Sequence, residues 1–121
     1  MEYMLLIYDQ PGRWGSLAEE ERNAEYEEYF ALSRELRERK ALVSSNELEP
    51  ESTATTVRVR NGALDLTDGP FAETKEAVGG YYVIEAESLD EAVEWAAKIP
   101  SARTGAVEVR PVVTHEAEVS A

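Results

Sequence analysis

The run Asp68-Gly69-Pro70-Phe71-Ala72-Glu73-Thr74-Lys75-Glu76 concentrates side chains that could do chemistry. A carboxylate held at a Gly-Pro turn could act as a general base or anchor a ligand's donor groups. Lys75 could bind an anion or pair with Glu73. Phe71 needs somewhere to bury its ring, and with Tyr8, Tyr81 and Tyr82 it could line a small apolar pocket. Asp68 is therefore the catalytic candidate, and Tyr8, Asp68, Phe71, Glu73, Lys75 and Tyr82 are the ligand-binding candidates. Each has a plainer reading as well. A turn aspartate commonly bonds local backbone N–H groups. The charges after Phe71 can form a solvated connector, and the tyrosines can pack a core or an interface. For Asp68 the turn reading outranks the site reading.

Composition removes several other chemistries. The chain has no cysteine, so disulfides, thiolate nucleophiles and Cys-ligated metals are excluded. His115 is its one histidine, whereas a zinc site draws on several nitrogen or sulfur ligands. No metal and no cofactor are expected. There is no Ser/His/Asp arrangement, and Gly79-Gly80 is too little for a phosphate cradle. A net charge of −13 repels phosphate backbones and anionic lipid, so direct nucleic-acid binding and membrane binding are not expected. That charge favours basic partners or cations, although an acidic surface most often serves solubility. The apolar run at residues 3–8 is too short for a signal segment, and no run reaches a membrane-spanning length, so a cytoplasmic protein is expected.

The elements that must position these residues are legible along the chain. With 121 residues and 43% hydrophobic composition, a single domain over 1–121 with its own core is expected, and a polar tail at about 114–121 that frays. Residues 3–8 form a strand with apolar side chains on both faces. Ser16-Leu17-Ala18-Glu19 reads as a capping box opening a helix over 17–40, with Glu19, Glu20 and Glu21 at its positive end and Arg37, Arg39 and Lys40 at its negative end. Tyr26, Tyr29, Phe30, Ser33 and Leu36 fall on one stripe of it, and Trp14 packs over its start or closes over a cleft. Residues 42–48 are extended. Residues 55–60 alternate, and Asn61-Gly62 predicts a type I′ turn returning through 63–67.

Residues 79–86 form a second strand apolar on both faces, the paired glycines marking a bulge or a close backbone approach. Ser88-Leu89-Asp90-Glu91 caps a second helix whose stripe is Leu89, Ala92, Val93, Ala96 and Ala97, leaving Trp95 to find a different partner surface. Pro100 stops that helix, and Pro111 marks an edge or end-of-strand position in the last strand, 107–113. The order β-α-β-(β-β)-β-α-β with an antiparallel sheet is the ferredoxin-like α+β pattern. Two helices cover one face of such a sheet, so a homodimer packing sheet on sheet is expected.

Tyr3-Met4-Leu5-Leu6-Ile7-Tyr8, the run from Thr67 through Glu76, Gly79-Gly80-Tyr81-Tyr82 and Gly105-Ala106-Val107-Glu108-Val109-Arg110-Pro111 together resemble the YCII-related family, in its DGPF-domain branch. The resemblance covers nearly the whole chain. It implies a dimeric α+β barrel of ferredoxin-like subunits and a link to sigma factors of the extracytoplasmic-function type, with a biochemical role largely unassigned. The original branch of the family is thought to carry a His–Asp pair. Its histidine position falls near Tyr29 and its aspartate position on Ile99, so that chemistry does not carry over. A dimeric binding or regulatory module is the first reading. An enzyme acting on a small organic molecule is the second, in a cleft between sheet, first helix and the 68–75 loop, with Asp68 as base and Lys75 or a tyrosine orienting the substrate. A structural dimer without ligand is the third.

Overall fold

The structure is a computed structural model and describes residues 1–69 and 76–115. Its strands are β1 (Glu2–Asp9), β2 (Leu42–Glu47), β3 (Thr55–Arg60), β4 (Ala63–Asp68), β5 (Ala77–Glu85) and β6 (Ala106–Pro111). Its helices are α1 (Arg13–Ser16), α2 (Glu19–Glu38), α3 (Leu89–Ala97) and α4 (Ser101–Thr104). Four strands form one antiparallel sheet in the order β2-β5-β1-β6, and β3 pairs with β4 as a separate two-stranded ribbon. Each β-α-β crossover skips one strand, which is the ferredoxin-like arrangement with a hairpin inserted between β2 and β5.

Alternation along β1 puts Tyr3, Leu5 and Ile7 into the core, where they meet Leu32 and Leu36 of α2 and Ala92, Trp95 and Ala96 of α3. Both long helices therefore lie on one face of the sheet. The other set in β1, Met4, Leu6 and Tyr8, is half-buried on the helix-free face. The two-faced apolar character expected of this strand thus has its cover on one side within a single chain.

Local signals place most ends. Ser88 accepts the Glu91 N–H at 3.2 Å, and the Glu91 side chain returns to the Glu87 N–H at 3.1 Å. The α2 helix closes on Lys40, at φ 57°, with the Ala41 N–H bonded to the Leu36 carbonyl at 2.8 Å. Asn61 and Gly62 take φ 50° and 75°, the left-handed pair that a type I′ turn needs. The β1–β5 register slips between Ile7 and Tyr8, opposite Gly79, and a Cβ on Gly80 would lie 2.8 Å from the Asn46 carbonyl oxygen. The paired glycines thus serve both a bulge and a close approach.

Three local expectations are corrected. Ser16 does not cap α2, because its hydroxyl donates to the Arg13 carbonyl at 2.7 Å and closes α1. The α2 helix starts two residues later than a Ser16 cap would place it, with the Glu21 carboxylate accepting the Ala18 N–H at 3.2 Å. Trp95 is core rather than off-stripe, and Leu89 and Val93 are exposed. The buried line of α3 runs through Ala92, Trp95 and Ala96 and continues past the helix end to Ile99, because the sheet takes the side carrying the largest apolar area. On α2 the buried positions are Leu32 and Leu36, which turns Phe30 outward.

Candidate functional site

The end of β1 delivers Asp9 to a chain turn through Gln10-Pro11-Gly12, and α1 brings Arg13 back over it. The Arg13 guanidinium donates to Asp9 Oδ2 at 3.1 Å and forks onto Glu25 of α2 at 2.8 and 3.3 Å. The side chains of Arg13 and its two partners stay only 12–21% exposed, so this is a partly dry ion-pair network. The bond to Glu25 raises the Arg13 pKa, leaving it a permanent cation.

Asp9 is tied from the other side as well. Its Oδ2 accepts from the Thr104 hydroxyl at 3.0 Å and from the Ser101 hydroxyl at 3.4 Å, and its Oδ1 accepts the Gln10 N–H at 3.0 Å. The Tyr29 and Ser101 hydroxyl oxygens lie 3.0 Å apart. A serine hydroxyl has one proton. With that proton on Asp9, Tyr29 donates to Ser101, and a directed path runs Tyr29 → Ser101 → Asp9. Burial pushes the Tyr29 hydroxyl up to about 12, so it stays protonated at neutral pH. Burial likewise raises Tyr82, whose hydroxyl pairs with that of Ser33 at 3.1 Å.

These groups wall one end of a cleft of ≈ 810 Å³ between the sheet, α1, α2 and the segment running from Ser45 to Ser52. An aromatic cluster from the same two helices, α1 and α2, lines the cleft as well. Trp14 meets Tyr26 edge-on with centroids 4.9 Å apart, and Tyr26 stacks on Phe30 at 5.9 Å. A volume of this size suits a small organic ligand. Among the described residues, no group of three or more His, Asp or Glu side chains is placed to hold a metal ion.

The residues singled out from sequence distribute unevenly. Tyr82 and Tyr81 line the cleft, as does Trp14. Tyr8 lies on the helix-free face and donates to Glu108 at 3.1 Å. Asp68 ends β4, exposed and opposite Thr55, and is not part of the cleft wall. Pro70, Phe71, Glu73 and Lys75 lie outside the described residues, as does the tail from residue 116. Tyr29, marked as the place of the family's histidine, lines the cleft, whereas Ile99, marked for the aspartate, is fully buried in the core. Asp9, Arg13, Glu25 and Ser101 were not singled out. A carboxylate ending a buried strand at a Pro-Gly turn, and a glutamate one helical turn before Tyr29 on an otherwise aromatic stripe, were the signals available. No described helix is long and apolar enough to cross a membrane.

The family described as the YCII-related domain matches residues 1–116. An uncharacterized protein of Rhizobium meliloti (strain 1021) is 35% identical over 118 residues, covering 96% of this chain and 95% of that one. Among solved structures, a 5-chloro-2-hydroxyhydroquinone dehydrochlorinase from Burkholderia phenoliruptrix AC1100, in complex with 2,5-dihydroxybenzoquinone, aligns with a TM-score of 0.56. It shares 18% identity, with 95% of this chain and 96% of that chain covered, and the likeness is one of fold.

Proposed function

The chain belongs to the YCII-related family, and from that premise we propose that it binds a small organic molecule in the cleft between the sheet and α2. One observation carries this reading: an ordered polar chain, Tyr29–Ser101–Asp9–Arg13–Glu25, lines the same cleft as the aromatic cluster Trp14–Tyr26–Phe30. The polar end supplies orientation and the rings supply contact area. The DGPF run beginning at Asp68 supports the DGPF-domain branch. A metabolite screen by thermal shift tests the reading. A ligand is expected whose stabilisation falls in Tyr29→Phe and Asp9→Asn while both variants keep the native circular dichroism. Stabilisation indifferent to both would remove the ligand from this cleft.

The same chain of hydroxyls favours a second reading, an enzyme that moves a proton between a bound substrate and Asp9 through Tyr29 and Ser101. One protein of similar fold is a dehydrochlorinase in complex with 2,5-dihydroxybenzoquinone, which supports this reading at the level of the fold. Turnover of the screened ligand separates enzyme from binder.

Met4, Leu6 and Val83 on the helix-free face support a homodimer packed sheet to sheet, the barrel arrangement expected above. Leu6→Glu is expected to convert a dimer into a monomer in sedimentation, and a wild-type chain that is monomeric at micromolar concentration refutes the arrangement.

A further inference from the structure

The cleft's aromatic wall and its charge specify a kind of ligand. Tyr26 and Phe30 are one helical turn apart on α2 and stack with their planes 10° apart, while Trp14 arrives from α1 and meets Tyr26 at 79°. The Trp14–Tyr26 contact alone would fasten α1 to α2. Phe30 adds nothing to that fastening, yet it stacks on Tyr26 with 55% of its surface open. Phe30 thus presents an open ring surface to the cleft, with Trp14 and Tyr26 half-exposed beside it.

Five carboxylates and one guanidinium line this cleft among the described residues. Arg13 is already taken by Asp9 and Glu25, which leaves negative charge in excess. Glu47 stands beside the rings, both of its oxygens accepting from the Tyr26 hydroxyl at 3.0 and 3.2 Å. Glu49 and Glu51 extend the same charge along the rim. An anion approaching this cleft meets a like field, on a chain whose net charge is −13. Aromatic faces attract cations through the ring quadrupole, and nearby carboxylates reinforce that attraction.

We propose that the Trp14–Tyr26–Phe30 wall with Glu47 is a subsite for an organic ammonium ion carried on an apolar body. The ammonium group sits against the ring faces within reach of Glu47, and the apolar body lies along the cleft toward Tyr82. This inference rests on the small-molecule reading of the cleft and names its ligand class.

The test titrates benzylamine, benzyltrimethylammonium, benzyl alcohol and benzoate into the full chain, following amide and indole N–H shifts by NMR and affinities by calorimetry. Both ammonium probes are expected to bind saturably, with shifts centred on Trp14, Tyr26 and Phe30, about tenfold or more tighter than benzoate. Glu47→Gln and Phe30→Leu, both at exposed positions, are expected to weaken the ammonium probes about three- to tenfold while leaving the unfolding midpoint in place. Benzyl alcohol or benzoate binding there as tightly as benzylamine overturns the cationic preference and leaves the small-molecule reading standing. Ammonium binding that is indifferent to both substitutions overturns the subsite. Silence of all four probes at the cleft overturns this inference, while the small-molecule reading stands or falls on the metabolite screen.

Discussion

The hydroxyl of Tyr29, midway along α2, lies 3.0 Å from the hydroxyl of Ser101 at the start of α4. That contact joins elements 72 residues apart in sequence, and through Ser101 it reaches the Asp9 carboxylate. It is the point where the helix layer is keyed to the cleft.

Tyr29→Phe keeps the ring and removes that key. The Ser101 hydroxyl retains Asp9 as a partner, so the loss is one hydrogen bond rather than an orphaned group. Urea unfolding is expected to show a decrease of about 0.5–1.5 kcal/mol. Ligand affinity is expected to fall more than stability does.

Alkaline titration reads the same residue. Its folded pKa is raised by burial from 10.0 to about 12, so the contribution of Tyr29 to stability is fully present below pH 10 and is lost as pH rises toward 12. Burial raises Tyr82 too, with the same sign. The expected outcome is that the latest tyrosinate absorbance step in the folded chain disappears in Tyr29→Phe. The slope of stability against pH over that interval should become shallower in the variant.

Arg13→Gln leaves the Asp9 and Glu25 carboxylates facing each other without their shared cation. A loss of about 1–3 kcal/mol is expected, as for hydrogen bonds to charged groups. Adding Glu25→Gln should restore part of it, because the second substitution removes the repulsion exposed by the first. Equal and additive losses would show that the three groups do not act as a network.

Gly105→Ala tests the floor beneath Asp9. A Cβ there would lie 2.1 Å from the Tyr8 carbonyl oxygen and 3.0 Å from the Asp9 Cα, so the end of β1 must move. A cost of about 1–3 kcal/mol is expected. Asp9 amide shifts should be displaced as well. Gly79→Ala, with open space around it, is expected to have the smaller effect in the same denaturant experiment.

The orientation of α3 gives a contrast that local pattern would reverse. Trp95→Ala is expected to cost about 3–5 kcal/mol, as for a buried aromatic. Leu89→Ala, at a 52% exposed position, is expected to stay within about 0.5 kcal/mol. Thermal denaturation of the two variants separates them. The apolar spacing on this helix admits two rotations a fraction of a turn apart, and an alanine-rich stripe does not outweigh one tryptophan.

Features that depend on neighbours a few residues away are legible in the chain alone. The Asn61-Gly62 turn follows from tolerance of positive φ, the Ser88 cap from a hydroxyl within reach of Glu91 N–H, and the ends of the strands from alternation and breaker residues. The element order then left few ways to arrange one antiparallel sheet, so the ferredoxin-like order was legible. Which side chains meet is set by how the whole chain packs. Asp9 and Ser101 are 92 residues apart, and no local pattern marks them as partners. The run beginning at Asp68 had the conspicuous chemistry, yet Asp68 ends an exposed ribbon while the cleft forms where β1, α1 and α2 converge. Helix rotation and convergence follow from which surface each element buries, a property of the whole packed chain rather than of any stretch of it.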